Sequence, residues 1–209
     1  MAGLAVVRLR VAAITVCMLL LAACDAVKLS LDVHLDVPFL AQETLLCVPT
    51  SAAMVLAFYG DDEPPRKLKA LANGRSYDPA APFTDFTITP FASLIRGLRT
   101  LGYDWRDSAL PTTSEGFEQG MAVIRSDLRA GRPVLVDISY SGVGHTFVLT
   151  GFDDTKQRIY FVDPAAPAPG RNSAAYSEFE AAWNERAYGG NFRAMIRTQK
   201  RGLPAGSAT

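Results

Sequence analysis

The stretch VLVDISYSGVGHTFVLTGFDDTKQRIYFVD, residues 134–163, decides the fold. Three runs within it, Val134 to Ile138, Thr146 to Phe152 and Arg158 to Val162, are short, apolar and rich in β-branched or aromatic side chains. Glycine-rich or polar turns separate them, which predicts antiparallel strands, with Asp153 to Gln157 closing a hairpin between the last two. Upstream, Leu29, Leu31, Val33, Leu35 and Val37 alternate with Ser30, Asp32, His34 and Asp36. That period of two predicts another strand with one wet face, stopped by Pro38, and Phe192 to Ile196 predicts one more downstream.

Between these strands the spacing is helical. Pro49 to Tyr59 is rich in helix formers and is closed by Gly60, with Cys47 at its N-terminal edge. Pro65 to Asn73 predicts a short helix, and residues 74–87 a polar, proline-containing loop. Thr89 is placed to cap a helix with Pro90 in its first turn, and Phe91, Leu94, Ile95, Leu98 and Leu101 form its apolar stripe before Gly102. Asp104 to Asp107 receives no assignment.

Thr112 and Glu115 have capping-box spacing ahead of a helix marked by Phe117, Met121, Ile124 and Leu128, which Gly131 ends and which Gly116 and Gly120 weaken. Ser177 and Glu180 repeat that spacing before Trp183. Helices first and strands afterwards predict an α+β domain, expected over residues 35–197, with a disordered tail over 198–209.

The 209 residues carry 21 Lys and Arg against 21 Asp and Glu, a balance that gives no hint of a polyanionic partner, and nucleic acid is not expected as one. Arg8 and Arg10 precede the apolar run Val11 to Leu21, which is short for a membrane span and reads as an export signal over residues 1–23. Leu21-Ala22-Ala23-Cys24 resembles a bacterial lipobox, which implies lipid on Cys24 and a membrane-tethered protein in the bacterial cell envelope, facing the periplasm or exterior. Residues 24–34 then form the lipidated N-terminus and first strand region. Removal of Cys17 with the signal and lipidation of Cys24 would leave Cys47 as the one free thiol, in compartments where thiols oxidise.

A thiol attacks a carbonyl as thiolate, and the positive end of a helix lowers its pKa. Cys47 has that placement. The mature chain holds two histidines; His34 belongs to the wet face of a strand, while His145 follows Gly142-Val143-Gly144 at the start of another. Across the predicted hairpin, Asp163 lies beside that start and could fix the imidazole tautomer. The backbone N–H of Cys47 and the side-chain amide of Gln42 are candidate donors to an oxyanion. One thiol and one histidine fall short of a zinc ligand set, so no metal or other cofactor is expected.

These residues carry a family resemblance. The blocks Val37 to Gln42, Cys47 to Met54 with Gly60, Gly144 to Asp153, and Val162-Asp163-Pro164 are similar, in order, to the double-glycine leader peptidases that process bacteriocins, which are papain-like cysteine peptidases. The resemblance implies a papain-like fold of helices packed on an antiparallel sheet, with Cys47 as nucleophile, His145 as base, Asp163 as its orienter and Gln42 at the oxyanion. It also implies a peptide or protein substrate. The family has glycine after the cysteine, where this chain has Val48, and its best-known members are fused to a membrane exporter with an ATPase. A stand-alone, lipid-anchored monomer is expected here. Acyl transfer of the transglutaminase kind, and a non-catalytic peptide-binding module, are the alternative functions.

Overall fold

A computed structural model describes residues 31–140 and 142–202 of the chain. The chain divides into residues 1–31 and 32–209, and every helix and strand among the described residues belongs to the second unit. The export signal, Cys24, Leu29 and residues 203–209 lie outside the described residues.

Among the described residues seven strands form one antiparallel sheet: β1 (Asp32–His34), β2 (Arg106–Pro111), β3 (Val134–Tyr140), β4 (Val143–Asp153), β5 (Arg158–Val162), β6 (Arg171–Ala175) and β7 (Phe192–Arg197). Their order is β2-β7-β3-β4-β5-β6, and β1 pairs with β4. The helices are α1 (Cys47–Phe58), α2 (Pro65–Ala72), α3 (Phe91–Arg99), α4 (Ser114–Arg129) and α5 (Tyr176–Ala182), with a 3-10 turn at Arg186–Tyr188.

Both faces of the central strands are covered. Leu135, Val148 and Ile196 pack with Met54, Leu94 and Leu98 of α1 and α3. Val136, Phe147, Leu149 and Met195 pack with Met121, Ile124 and Phe179 of α4 and α5. Adjacent residues on β3 and β4 therefore serve opposite cores, which is why those strands read as mostly apolar runs rather than as an apolar–polar alternation.

Several boundaries differ from expectation. The first strand keeps only Asp32–His34, although the inward positions Val33 and Leu35 pack against a core and Val37 is buried in one. Its close approach needs a glycine on β4, since a Cβ on Gly151 would lie 2.2 Å from the Val33 carbonyl oxygen. Pro90 is the N-cap of α3 itself, and the Thr89 hydroxyl instead accepts from Lys69 Nζ at 3.0 Å. Helix α4 is capped by Thr113, whose hydroxyl accepts from Gly116 N–H at 3.1 Å, while Thr112 bonds Asn191. At α5 Glu178, rather than Glu180, reaches back to the Ala175 N–H at 2.7 Å. Ala175 has no side-chain oxygen to reciprocate, so half of a capping box forms.

Two edge strands, β2 and β6, carry no strand signal in the sequence because edges need no apolar alternation. The expected disordered tail also begins too early. Thr198 is buried and its hydroxyl donates to the Pro133 carbonyl at 2.6 Å, while the Gln199 carbonyl accepts from Trp105 Nε1 at 2.9 Å. Gly116 and Gly120 are explained by packing: a Cβ on the first would come within 2.2 Å of the Pro111 carbonyl oxygen, and on the second within 2.5 Å of the Trp183 ring.

Candidate active site

Leu45, in the turn before α1, takes a left-handed φ of 60°, and Cys47 follows as the first helical residue. The first N–H groups of a helix have no intrahelical acceptor, so the thiol sits where the helix presents partial positive charge. Ser51, one turn along, donates to the Thr146 carbonyl at 3.2 Å and ties α1 to β4. The Cys47 sulfur is thereby held against the strand that carries His145.

His145 Nε2 lies 2.6 Å from Asp163 Oδ1. Asp163 is itself fixed, because Ala165 N–H donates to the same carboxyl at 2.8 Å. With Nε2 engaged, Nδ1 is the nitrogen left for the thiol, and Cys47 and His145 are near enough to shift each other's protonation. The hairpin thus brings His145 to Asp163, and α1 sets Cys47, the third predicted residue, beside His145.

The electrostatics follow from this grouping. Burial alone would push the Cys47 thiol up, but the hydrogen bond and charge of His145, with hydrogen bonds from Thr146, bring it below its ordinary value. Burial pulls the imidazolium down, yet Asp163 and Cys47 together raise His145 to about 9. Burial works against the Asp163 carboxylate too, and His145 and Ala165 overcome it and lower its pKa. The arrangement favours a thiolate beside an imidazolium, the form in which a cysteine is a nucleophile and its neighbour can return a proton.

Gln42 is seated by its backbone. Its N–H donates to the Pro164 carbonyl at 2.9 Å, which holds its loop beside Asp163, and its side-chain Oε1 is buried without a hydrogen-bond partner. His34 stays on the exposed face, its ring 4.3 Å from that of Tyr160, away from this chemistry. Among the described residues no group of three His, Cys, Asp or Glu side chains is placed to hold a metal ion, and no helix is long and apolar enough to cross a membrane.

Other residues near the thiol carry little signal in the sequence. Val48 is buried and lines a cleft of about 520 Å³, with Asp137 and Glu185 also on its wall. The Thr146 hydroxyl that faces Cys47 also donates to Asp137. Tyr188 packs over β4 at Gly144, where a Cβ would lie 2.2 Å from the tyrosine ring. Lys69 is almost fully buried in α2, its ammonium donating to the Thr87 carbonyl at 2.5 Å and to the Thr89 hydroxyl. It thereby pins the loop before α3. Glu185 and Tyr188 are distant from the motif blocks, and Lys69 looks like any helix-surface lysine. Only Gly144, as a site of close approach, points towards any of them.

Residues 34–191 match the model of the Peptidase_C39 like family. The chain belongs to that family. Its fold is shared with the peptidase domain of Streptococcus ComA, a bi-functional ABC transporter involved in a quorum sensing pathway. The likeness covers 78% of this chain and 99% of that one at 16% identity, with a TM-score of 0.54. Two further solved structures are similar to this Peptidase_C39-like chain. One is a double glycine motif protease from an AMS/PCAT transporter in complex with the leader peptide, at 19% identity over 79% of this chain and 94% of that one, TM-score 0.49. The other is xylellain, a cysteine protease from Xylella fastidiosa, at 12% identity over 81% and 86%, TM-score 0.46. No curated protein matches the chain. The α+β architecture expected from the sequence, helices packed on an antiparallel sheet, is the one observed, and it is shared with the ComA peptidase domain.

Proposed function

We propose that the protein is a thiol peptidase that hydrolyses peptide bonds through an acyl-enzyme on Cys47. The observation that carries this is the His145 imidazole, its Nε2 2.6 Å from the Asp163 carboxylate and its charge supported by the neighbouring Cys47 thiol. Cys47 attacks the carbonyl carbon and the tetrahedral oxyanion collapses as His145 protonates the leaving amine. Water, deprotonated by the same imidazole, then releases the acid. Asp163 holds the tautomer, and the Cys47 N–H and Gln42 amide receive the oxyanion.

Membership of the Peptidase_C39-like family supports this reading. Alkylation of Cys47 by iodoacetamide is expected to be fast near pH 6 and to slow about 100-fold or more in His145→Ala. A rate that instead tracks an ordinary thiol, unchanged by the histidine, rules the mechanism out.

The proposal includes location. The Leu21 to Cys24 sequence supports a lipid-anchored enzyme acting outside the cytoplasm, on peptides or proteins of the envelope. Metabolic labelling with a fatty acid tests it: label is expected on the wild type and absent from Cys24→Ser, and equal labelling of both excludes the anchor.

A further inference from the structure

The cleft beside Cys47 has a composition that the proposed catalytic residues do not require. Its wall includes Val48, which neighbours the nucleophile, and Phe91, Ala109 and Ala194, while Ile88 and Phe192 stand exposed and also line it. Such walls suit a flexible aliphatic chain. Three carboxyl-bearing residues, Asp107, Asp137 and Glu185, also line the cleft, and no lysine or arginine does. In a chain with equal acidic and basic counts, that segregation leaves the cleft with acids to receive a cation and no base of its own to repel one.

Two of the acids are buried. Asp137 is 8% exposed and Glu185 7% exposed. Glu185 Oε1 is buried and receives no hydrogen bond from an N–H or hydroxyl group; the side chain it meets is the neighbouring acid Asp137. A buried carboxyl oxygen without a donor costs free energy, and that cost is recovered when a ligand brings the missing charge. The cleft volume, about 520 Å³, accommodates one long side chain with its flanking backbone.

We propose that this cleft is the subsite for a lysine or arginine beside the scissile bond, its stem on the Val48 and Phe91 wall and its cation on Asp137 and Glu185. The inference rests on the thiol peptidase reading, because the substrate must be a peptide whose carbonyl reaches Cys47. The substrate class is therefore a basic peptide or a protein segment with a basic residue at the cut. Asp107, at the exposed rim, draws the cation in before the buried pair receives it. Val48, in the place where the family has glycine, becomes part of the subsite wall.

Internally quenched peptides in which each position is varied among lysine, norleucine and glutamate test this on the full domain. Norleucine keeps the stem and lacks the ammonium. At one position flanking the cleaved bond, lysine is expected to exceed norleucine in kcat/KM by about 10-fold or more, because a buried polar pair left unmatched disfavours the apolar analogue. That ratio is expected to fall towards unity in Glu185→Gln and to fall partially in Asp107→Asn, whose exposed position leaves folding unaffected. Cleavage of both peptides at equal rates by the wild type, or a lysine preference unchanged in both variants, overturns the subsite and leaves the peptidase reading standing. Absence of cleavage, together with Cys47 labelling that ignores His145, overturns both.

Discussion

Asp127, near the end of α4, and Asp137, in β3, are both buried carboxylates, and their surroundings are opposite. Asp127 is enclosed by two guanidinium groups: Arg132 Nη2 donates to it at 2.6 Å, and Arg197 Nε and Nη2 at 2.6 and 2.9 Å. Helix α4 is clasped by these bonds to β7. Asp137 has instead a threonine hydroxyl and a second acid, Glu185, and burial, followed by the charge of that acid, holds its carboxyl well above the usual carboxylate range. A buried ion with complete partners fixes architecture, whereas a buried acid beside another acid keeps free energy in reserve for a ligand.

The structural acid carries the largest expected effect. Asp127→Ala leaves Arg132 and Arg197 without their shared acceptor and is expected to cost about 3 kcal/mol in denaturant unfolding. The iodoacetamide rate per folded molecule is expected to stay as in the wild type. A loss below about 1 kcal/mol would mean that the two guanidinium groups are solvated equally well without the clasp.

Among the acids near the thiol, Asp163 has the next largest. Asp163→Asn removes the charge that raises His145. The imidazolium is required for leaving-group protonation, so the alkaline limb of kcat/KM is expected near pH 9 in the wild type and at least one unit lower, towards 6.5, in the variant. The direction comes from the raised folded-state pKa: the protonated form is complete below 6.5 and is lost as pH rises through about 9.

The smallest effect separates the two kinds of buried acid most cleanly. Glu185→Gln replaces one of two neighbouring acids by an amide that can donate, and unfolding is expected to shift by less than about 1 kcal/mol, or towards greater stability. A loss as large as that of Asp127→Ala would show Glu185 to be a structural anchor, contrary to its oxygen without a donor.

Strands β3 to β5 were legible in the sequence because their centres are buried on both faces, so apolar residues fill most positions between turns. The site was legible for the same reason: once β4 and β5 pair, the beginning of one and the end of the other bring His145 to Asp163, and the helix pattern after Cys47 supplies the third residue. Edge strands β2 and β6 were not legible, since their outward positions hold Arg106, Asp107, Arg171 and Asn172. Caps were displaced by one or more positions because neighbouring hydroxyls compete, and the tertiary partner decides. Thr89 turns to Lys69 and Thr112 to Asn191, which leaves α3 to Pro90 and α4 to Thr113. The pair of Asp137 and Glu185 stayed hidden because the first sits inside an apolar run and the second in a loop with no motif, and only the fold brings them together.

The bond from the Ser51 hydroxyl to the Thr146 carbonyl ties the helix of the proposed nucleophile directly to the strand of the proposed base. On the peptidase reading, the reacting atoms are then gathered before a substrate arrives. Heating is expected to remove competence together with the native contact between that helix and that strand.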